Sequence, residues 1–290
     1  MTTISSAARR LLAAVVAALV VCAPALRAQE RALLDLLVIA PHPDDEIIGC
    51  AGVMLQALAE RKHVGVVILT NGDAHVALTA VVAKKDKEQL VPEDFMRAGA
   101  LRQGHSIAAT VRIGLPREEL VFLGYPDSGL EKIFTLSGSA EFEQAFTQKR
   151  ETYGLAAPDY RTAKHGKPAP YLKASVVNDL AEIIRERRPM EIYVTDPADK
   201  HPDHRTASSF VREALLASKH HAGLFTYIVH GDPPPEPSDR RVVLTTEQQK
   251  IKRAAIEDHQ KGTSPIHDQL AVTYAKPEEV FWRAKIPAAK

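Results

Sequence analysis

The stretch LLDLLVIA at residues 33–40 decides the fold class of this chain. It is a short, almost continuous apolar run that Pro41 ends, which is typical of a buried strand. A second run of this kind, VGVVILT, follows at residues 64–70 and is closed by a turn sequence, NGD. Apolar side chains recur at helical spacing over residues 46–61, between the two runs. Strand, helix and strand in this order predict a βαβ unit with parallel strands.

The alternation of strands and helices continues along the chain. The pattern predicts further helices over residues 95–110, 175–188, 206–218 and 247–261, and further strands over residues 119–123, 191–195 and 224–230. We therefore expect a single Rossmann-like α/β domain, with a mostly parallel sheet flanked by helices and an active site at the carboxyl ends of the strands. Three segments are expected to be loops: residues 74–93, 132–173 and 230–239. The first two should shape the rim of the pocket.

The N-terminal segment has the layout of a secretory signal peptide. Arg9 and Arg10 precede an uncharged apolar run over residues 11–23, and a cleavage position follows ahead of Gln29. The run is short for a membrane span, although an uncleaved anchor remains the alternative. We expect residues 1–28 to be removed and the mature protein to be secreted or periplasmic, without a stable membrane span.

Composition excludes one class of partner. The 290 residues carry 37 Lys and Arg against 36 Asp and Glu, a formal net charge of +1. Removal of residues 1–28 takes away three arginines and no acid, which leaves a formal charge of −2. The chain lacks the excess of lysine and arginine that nucleic-acid-binding proteins carry. Cys50 would be the sole cysteine of the mature chain, so an intramolecular disulfide is not expected.

The sequence PHPDDE at residues 41–46 is the first cluster of residues that could bind a metal or catalyse a reaction. It lies between the first strand and the first helix, where open α/β sheets bind their ligands. Three acids and an imidazole are costly to bury without a partner, and a divalent cation is the natural one. Helix capping would account for any one of the acids. It does not account for His42, which stands between two prolines.

The second cluster is HPDH at residues 201–204, which follows the predicted strand over residues 191–195. Alone it is weak evidence, because exposed histidines would give the same pattern. If the two strands are parallel neighbours, however, both clusters meet at one edge of the sheet. Catalytic zinc sites use three protein ligands and an open position, and two histidines with one carboxylate fit that number. A spare carboxylate and a spare histidine remain for acid–base chemistry and oxyanion stabilisation.

The pair of motifs resembles the PIG-L/LmbE-like family of zinc-dependent de-N-acetylases. That family includes the GlcNAc-phosphatidylinositol deacetylases, the mycothiol and bacillithiol pathway deacetylases, and the diacetylchitobiose deacetylases. HPDDE at residues 42–46 and HPDH at residues 201–204 match the family motifs in full. The resemblance runs over about residues 33–261, and it implies that residues 29–290 form a PIG-L/LmbE-like deacetylase domain.

The resemblance also implies roles for individual residues in the two motifs. His42, Asp45 and His204 would bind Zn²⁺, and Asp44 would be the general base that activates a water molecule. The same cofactor site could accept other divalent ions. Glu46 would support the site or cap the helix rather than bind the metal.

For the second motif, the resemblance implies that His201 stabilises the tetrahedral oxyanion or protonates the leaving amine. Asp203 would orient His201, as a carboxylate commonly does for a catalytic imidazole.

Two residues between the motifs resemble substrate-binding positions of the family. Arg102 stands where members carry an arginine that reaches the substrate, although this chain has His105 where they carry a glutamate three positions later. Asp127, in the segment LGYPD, would face a sugar hydroxyl. A plain turn residue is an equally good interpretation of Asp127.

The implied function is that of a zinc-dependent hydrolase that removes an N-acetyl group from a substrate containing an amino sugar. Two alternatives stay open: a zinc amidase acting on a non-sugar amide, and a non-catalytic carbohydrate-binding protein on the same fold. The histidines outside the two motifs are expected to lie on the surface or in loops: His63, His75, His105, His165, His220, His221, His230 and His267. Of these, His230 is the one to check, because it ends a predicted strand.

Overall fold

The computed structural model describes residues 32–136 and 142–286. The predicted signal peptide over residues 1–28 lies outside the described residues. The compact unit begins at Leu33. Its sheet has seven strands: β1 (Leu36–Ala40), β2 (Val64–Thr70), β3 (Leu120–Tyr125), β4 (Glu191–Thr195), β5 (Gly223–Tyr227), β6 (Arg240–Val243) and β7 (Glu278–Arg283).

The sheet is parallel over most of its width. The strand order is β3-β2-β1-β4-β5-β7-β6, and β1 lies between β2 and β4. The first five strands in this order run parallel, whereas β7 pairs antiparallel with both β5 and β6. All residues of β1 and β2 are buried, which explains why their sequences are nearly continuous apolar runs.

Helices cover both faces of the sheet. They are α1 (Asp45–Ala59), α2 (Val76–Ala83), α3 (Pro92–Arg112), α4 (Leu130–Thr135), α5 (Tyr160–His165), α6 (Lys173–Arg187), α7 (Pro202–Ser218), α8 (Thr246–Asp258) and α9 (Leu270–Tyr274). Short 3₁₀ turns occupy Lys87–Gln89 and Arg117–Glu119. Successive side chains of β1 point to opposite faces, so Val38 joins the core that contains α1 and α8, whereas Ile39 joins the core that contains α6 and α7.

The predicted α/β domain is confirmed, and its main elements lie within a few residues of their predicted positions. Two of the predicted loops were wrong in part. Residues 74–93 contain α2, whose sequence VALTAVVA is apolar and whose N-terminus is capped by His75 Nδ1, an acceptor for the N–H of Leu78 at 3.1 Å. Residues 132–173 contain α5, which Asp159 caps through the N–H of Thr162.

The antiparallel strand β7 is absent from the sequence-based prediction because one of its inward-facing residues is charged. Glu279 and Phe281 are both buried, so the strand lacks a simple apolar alternation. The Glu279 carboxylate accepts Lys252 Nζ at 2.6 Å and the N–H groups of Gly52 and Val53 at 2.7 and 2.9 Å. These bonds connect β7 to α1 and α8.

In residues 32–136 and 142–286, no helix combines the length and the apolar character that crossing a membrane requires. Cys50, the cysteine of α1, is buried in the core, as expected for a small apolar side chain.

Candidate active site

The two motif clusters meet at the carboxyl edge of the sheet. β1 ends directly before residues 41–46, and residues 201–204 follow β4 after a short loop. The two strands are parallel neighbours, in a register that pairs Leu37 with Ile192. Both clusters therefore leave the sheet on the same side, next to each other.

Asp44 has a strained backbone immediately before α1. Its φ is +136°, a region that residues with a side chain rarely adopt. Its N–H donates to Glu46 Oε2 at 2.9 Å, and its carbonyl oxygen accepts the N–H groups of Ile47 and Ile48 at 3.0 and 2.9 Å. The helix start therefore fixes the position of Asp44, and Glu46 caps that start.

Three donor atoms converge at this edge. His42 Nδ1 lies 3.2 Å from Asp45 Oδ2 and 3.1 Å from His204 Nε2. His204 Nε2 in turn lies 3.1 Å from Asp45 Oδ2, and all three side chains are buried. Ligand atoms about 2.0–2.2 Å from one tetrahedral zinc ion are roughly 3.3–3.6 Å apart, slightly more than these three distances. The spacing and chemistry of this donor set therefore fit a zinc ion.

The ring nitrogens of His42 and His204 that do not belong to this donor set lie beside carboxylates. His204 Nδ1 lies 3.3 Å from Asp199 Oδ2. His42 Nε2 lies 3.3 Å from both Asp127 Oδ1 and Asp203 Oδ2. Carboxylate–histidine pairs of this kind fix the orientation of metal-binding imidazoles and increase their basicity.

The electrostatics of the donor set favour a positive charge at its centre. Burial raises the pKa of Asp45, but His204 and His42 together outweigh burial and hold this pKa well below its ordinary value. Burial lowers the pKa of His204, but Asp45 and Asp199 together outweigh it and raise the pKa to about 9. In the same way, Asp127, Asp203 and Asp45 together outweigh burial and raise the pKa of His42. The site therefore attracts either protons or a metal cation.

His201 lies beside the donor set as a neutral imidazole. Its ring centroid is 4.8 Å from that of His42. Burial, followed by repulsion from His42 and His204, lowers its pKa to about 4. Its Nδ1 accepts the N–H of Asp203 at 3.2 Å, so Nε2 carries the ring proton. His201 can therefore donate a hydrogen bond through Nε2.

The carboxylate of Asp203 does not contact the ring of His201, which we expected it to orient. Its carboxylate contacts His42 rather than the ring of His201, and it accepts the N–H groups of Ser128 and Leu130 at 2.7 and 3.0 Å. The reason is geometric: Asp203 lies in the first turn of α7, where its N–H meets His201 while its side chain points back to the loop after β3. Asp203 therefore supports His42 and leaves His201 to other contacts.

Arg102 is buried and lines the site, but its guanidinium is already occupied by the protein. Nη1 donates to the carbonyl oxygen of Gly72 at 3.0 Å, and Nη2 donates to that of Pro43 at 3.1 Å. Nη2 also contacts Asp44 Oδ2 at 3.0 Å. Arg102 is therefore placed to hold the carboxylate of Asp44.

Asp127 is a support for other residues as well as a lining residue. Its Oδ2 accepts the N–H of Ala74 at 2.9 Å, in addition to the contact of Oδ1 with His42. Although burial opposes ionisation, His42 and Arg102 hold its pKa well below the ordinary value. The position also forms the turn that the sequence suggested, since Gly129 N–H donates to the carbonyl oxygen of Pro126 at 3.2 Å.

Sequence reasoning missed Asp199, which organises three histidines. One carboxylate oxygen accepts the N–H of His201 at 2.9 Å. The other accepts the N–H groups of Val229 and His230 at 2.8 and 3.0 Å and lies beside His204 Nδ1. Its position in the loop before the second motif was the available signal.

His230 and the later histidines also lie closer to the site than expected. The ring of His230 is exposed, but its centroid lies 4.8 Å from that of His204. The interpretation as a surface or loop residue was wrong for His105, which is buried in α3, whereas His267 lies in a loop as expected but is buried there, near Arg102. The ring centroids of His105 and His259 are 5.9 Å apart, because His259 caps the C-terminus of α8 and α8 packs against α3.

A cavity of about 400 Å³ opens onto these groups. Its described lining is formed by His42, Asp44, Asp45, Ile48, Ala74, His75, Arg102, Asp127, Ser128, His201, Val229, His230, Ile266, His267, Leu270 and Tyr274. Residues 74–93 thus reach the rim through their first two positions. The described part of residues 132–173 supplies support instead, for example Gln144 Nε2, which donates to the carbonyl oxygen of Asp127 at 3.4 Å.

The donor set and the motifs agree with the sequence model of the family described as "PIG-L: GlcNAc-PI de-N-acetylase", which matches residues 37–215, more than half of the chain. The chain belongs to the PIG-L family. The matched range includes both motifs and ends within α7, so the PIG-L model does not extend to Val229 or to the segment from Ile266 to Tyr274.

One curated relative is the 1D-myo-inositol 2-acetamido-2-deoxy-alpha-D-glucopyranoside deacetylase of Kribbella flavida. It is 30% identical to this PIG-L chain in an alignment 178 residues long, and the match covers 58% of this chain and 49% of the relative. The chain thus spans about half the length of that protein.

Solved structures share the PIG-L architecture. A conserved protein from Thermus thermophilus has a TM-score of 0.54 at 22% identity, covering 89% of this chain and 98% of that one. The N,N'-diacetylchitobiose deacetylase of Pyrococcus horikoshii has a TM-score of 0.53 at 19% identity, covering 86% and 83%. The 4-carboxy-2-hydroxymuconate hydratase of Pseudomonas putida has a TM-score of 0.53 at 15% identity, covering 88% and 98%. The likeness at these identities concerns the fold.

Proposed function

We propose that this PIG-L chain is a zinc-dependent hydrolase that removes the N-acetyl group from a substrate containing an amino sugar. One observation carries the proposal: the donor atoms of His42, Asp45 and His204 converge within 3.2 Å of one another, beside the cavity that Asp44 lines. A protein that only bound sugars would need neither this donor set nor the adjacent carboxylate.

His42, Asp45 and His204 would hold the zinc ion. When bound, zinc lowers the pKa of a water molecule and polarises an acyl carbonyl group. The protein keeps these ligands ready through Asp199, Asp203 and Asp127, which contact the outer ring nitrogens.

Asp44 is the group that we assign to proton transfer from the attacking water. Its carboxylate is about one-eighth exposed, at 13%, and so reaches the cavity while Arg102 holds Oδ2 at 3.0 Å. The proton would then pass from Asp44 to the leaving amine, which releases acetate and the free amino sugar.

His201 is the group that we assign to the developing oxyanion. Its Nδ1 is an acceptor for the helix N–H of Asp203, which directs the Nε2 proton away from that helix. A fixed donor of this kind stabilises negative charge in the transition state without reorganisation. Because His201 is neutral, it acts as a hydrogen-bond donor rather than as a cation.

The choice of an acetylated amino sugar rests on the relatives. The PIG-L family is described by a GlcNAc-PI de-N-acetylase, and the Kribbella flavida relative is a deacetylase of an acetamido-glucopyranoside of inositol. The fold alone would not support this choice, since a hydratase shares it.

The proposal is tested by acetate release from N-acetylglucosamine and its short oligomers. Purified wild-type protein is compared with Asp44→Asn, each with and without added zinc. Zinc-dependent release that the variant lacks supports the reaction and the base. Zinc binding without release from any acetylated sugar contradicts the proposal and favours a non-sugar amide or a binding protein.

We also propose that the chain is exported, on the basis of the pattern in residues 1–28. The test is N-terminal sequencing of protein recovered from the periplasm and medium of an expressing bacterium. A start near Gln29 supports cleavage, whereas intact protein in the cytoplasm contradicts it.

A further inference from the structure

The lining of the cavity beside the donor set contains two kinds of side chain. Most are polar and include the motif residues, together with His75 and His267. The others are apolar, and we call these side chains the apolar wall: Ile48, Val229, Ile266, Leu270 and Tyr274. This apolar wall is built from two buried residues and three partly exposed ones, so its side chains face the cavity at the surface of the core.

The apolar wall is held in place by the chain after α8. Gln260 Nε2 donates to the carbonyl oxygen of His267 at 2.6 Å, and the ring of His267 contacts the carbonyl oxygen of His259 at 3.2 Å. Leu270 and Tyr274 pack against the same core as α1. The wall is therefore a fixed surface, and most of it lies beyond the range that the PIG-L model matches.

The cavity offers no free cation. Among its described lining residues, Arg102 is the one lysine or arginine. Its two terminal nitrogens are bound to Gly72, Pro43 and Asp44, and Nη1 lies 3.9 Å from Asp127. Its Nε atom has no hydrogen-bond partner among the described residues, but it is buried and solvent does not reach it. A phosphate group on a substrate would need donors such as lysine or a free guanidinium, and it would not find them here.

The acidic side chains that line the cavity also disfavour a phosphorylated substrate. Asp44, Asp45 and Asp127 all border the cavity and outnumber Arg102. A bound divalent cation would bring these charges close to balance, without leaving a surplus for an anionic substrate. Like charges that face each other in a binding site reduce affinity for the wrong ligand.

We propose that the cavity accepts an uncharged amino sugar that carries an alkyl or aryl group and discriminates against phosphorylated amino sugars. The apolar wall would bind the alkyl or aryl group, and Leu270 would be one of the residues that determine specificity. The inference rests on the proposed function, because it concerns the substrate of the same site. The apolar group has two chemical sources: a long N-acyl chain, or an aglycone on the anomeric oxygen.

The experiment compares kcat/KM for five compounds at fixed ionic strength. They are methyl N-acetylglucosaminide, hexyl N-acetylglucosaminide, N-hexanoylglucosamine, and the 1-phosphate and 6-phosphate of N-acetylglucosamine. Each methylene that is buried on binding contributes roughly fourfold. We expect a gain of about tenfold or more for one hexyl compound over the methyl compound, and lower values for both phosphates. The hexyl compound that gains identifies the source of the apolar group.

A pair of variants in α9 tests the residue assignment. Leu270→Ser should lower kcat/KM for the hexyl compound more than for the methyl compound, so that most of the preference for the hexyl group is lost. Val272→Ser is the matched control, because Val272 lies in the same helix, is 66% exposed and does not line the cavity. Equal loss of preference in both variants would overturn the role of Leu270.

The outcomes separate this inference from the proposed function. Release without any preference for alkyl groups, or with preference for a phosphate, overturns the inference and leaves the proposed function intact. If no compound is hydrolysed, the proposed function fails. Calorimetry with zinc-loaded Asp44→Asn protein then decides the inference: tighter binding of hexyl than of methyl compounds supports it, and equal or absent binding overturns it.

Discussion

The Nδ1 atom of His42 lies 3.1 Å from the Nε2 atom of His204, although 162 positions separate the two residues in the chain. Two ring nitrogens at this distance need a shared proton or a cation between them, because their lone pairs repel each other. Asp45 Oδ2 completes a triangle with both atoms and supplies negative charge. The geometry is therefore arranged around a positive charge.

The first prediction concerns metal content. His204→Ala removes one of the three converging donors, so zinc affinity should fall by more than about 100-fold. The measurement is competition with a chromogenic chelator. His221→Ala, which changes an exposed histidine away from the site, is the control and should bind zinc like the wild type. Unchanged affinity in His204→Ala would exclude this residue as a ligand.

The second prediction concerns the base. Asp44→Asn should lower kcat by about 10²–10⁴-fold, the usual contribution of general base catalysis. Zinc content should stay the same because Asp44 is not part of the converging donor set. Elemental analysis and steady-state kinetics on the same preparation check both statements. A normal kcat in this variant would show that Asp44 is not the general base.

The third prediction concerns Asp199, which contacts His204 Nδ1 and the N–H groups of His201 and His230. Asp199→Asn should weaken zinc binding by about 10–100-fold, as removal of a carboxylate behind a metal-binding imidazole commonly does. It should also lower kcat, because the amide has one acceptor oxygen where the carboxylate uses two, so the N–H of His201 or those of Val229 and His230 lose their acceptor. If only thermal stability changed, Asp199 would be a structural residue alone.

The fourth prediction concerns pH. Burial, followed by repulsion from Asp127, raises the pKa of Asp73 from its ordinary value of 3.8 to about 7. Between these values the folded protein binds more protons than the unfolded chain, so this group's contribution to stability declines as pH rises and is lost above pH 7. Asp73→Asn stays neutral and can still accept the hydroxyl of Tyr153. Relative to the variant, the wild type should lose about 2–3 kcal/mol of unfolding free energy between pH 5 and 7.5.

Urea unfolding at both pH values measures this difference. A constant gap between wild type and Asp73→Asn across the range would show that Asp73 ionises normally.

The fifth prediction concerns the buried ion pair between α8 and β7. Lys252→Met leaves the carboxylate of Glu279 buried without its cation, which should cost about 3–5 kcal/mol of unfolding free energy. The double variant Lys252→Met, Glu279→Gln should regain part of that loss, because no full charge is then buried. Denaturant titration of the three proteins checks this order. A single variant as stable as the wild type would show that water reaches the carboxylate.

Sequence reasoning located the centre of the site because parallel strands place their carboxyl ends together. The buried runs of β1 and β4 were readable as strands, and the two motifs directly follow them. Proximity of His42 and His204 was then a consequence of topology. The fold class followed from the same alternation of strands and helices.

The remaining contacts were beyond the reach of pattern analysis, because they depend on side-chain direction. Asp203 reaches His42 rather than His201 since it sits in the first turn of α7. Arg102 was visible as a candidate, but the carbonyl oxygens that bind it come from two distant loops. Strand β7 was not predicted, because the charged Glu279 occupies an inward-facing position and interrupts the apolar alternation of the strand.

The positive φ of Asp44 places stability and catalysis in opposition at one position. Held at +136°, this backbone would suit glycine better than any residue with a side chain. Strain of this kind costs about 1–3 kcal/mol. A chain selected for folding alone would drift to glycine there and lose its carboxylate. An aspartate at this position therefore gives up folding stability for a carboxylate at the cavity, which the proposed function requires.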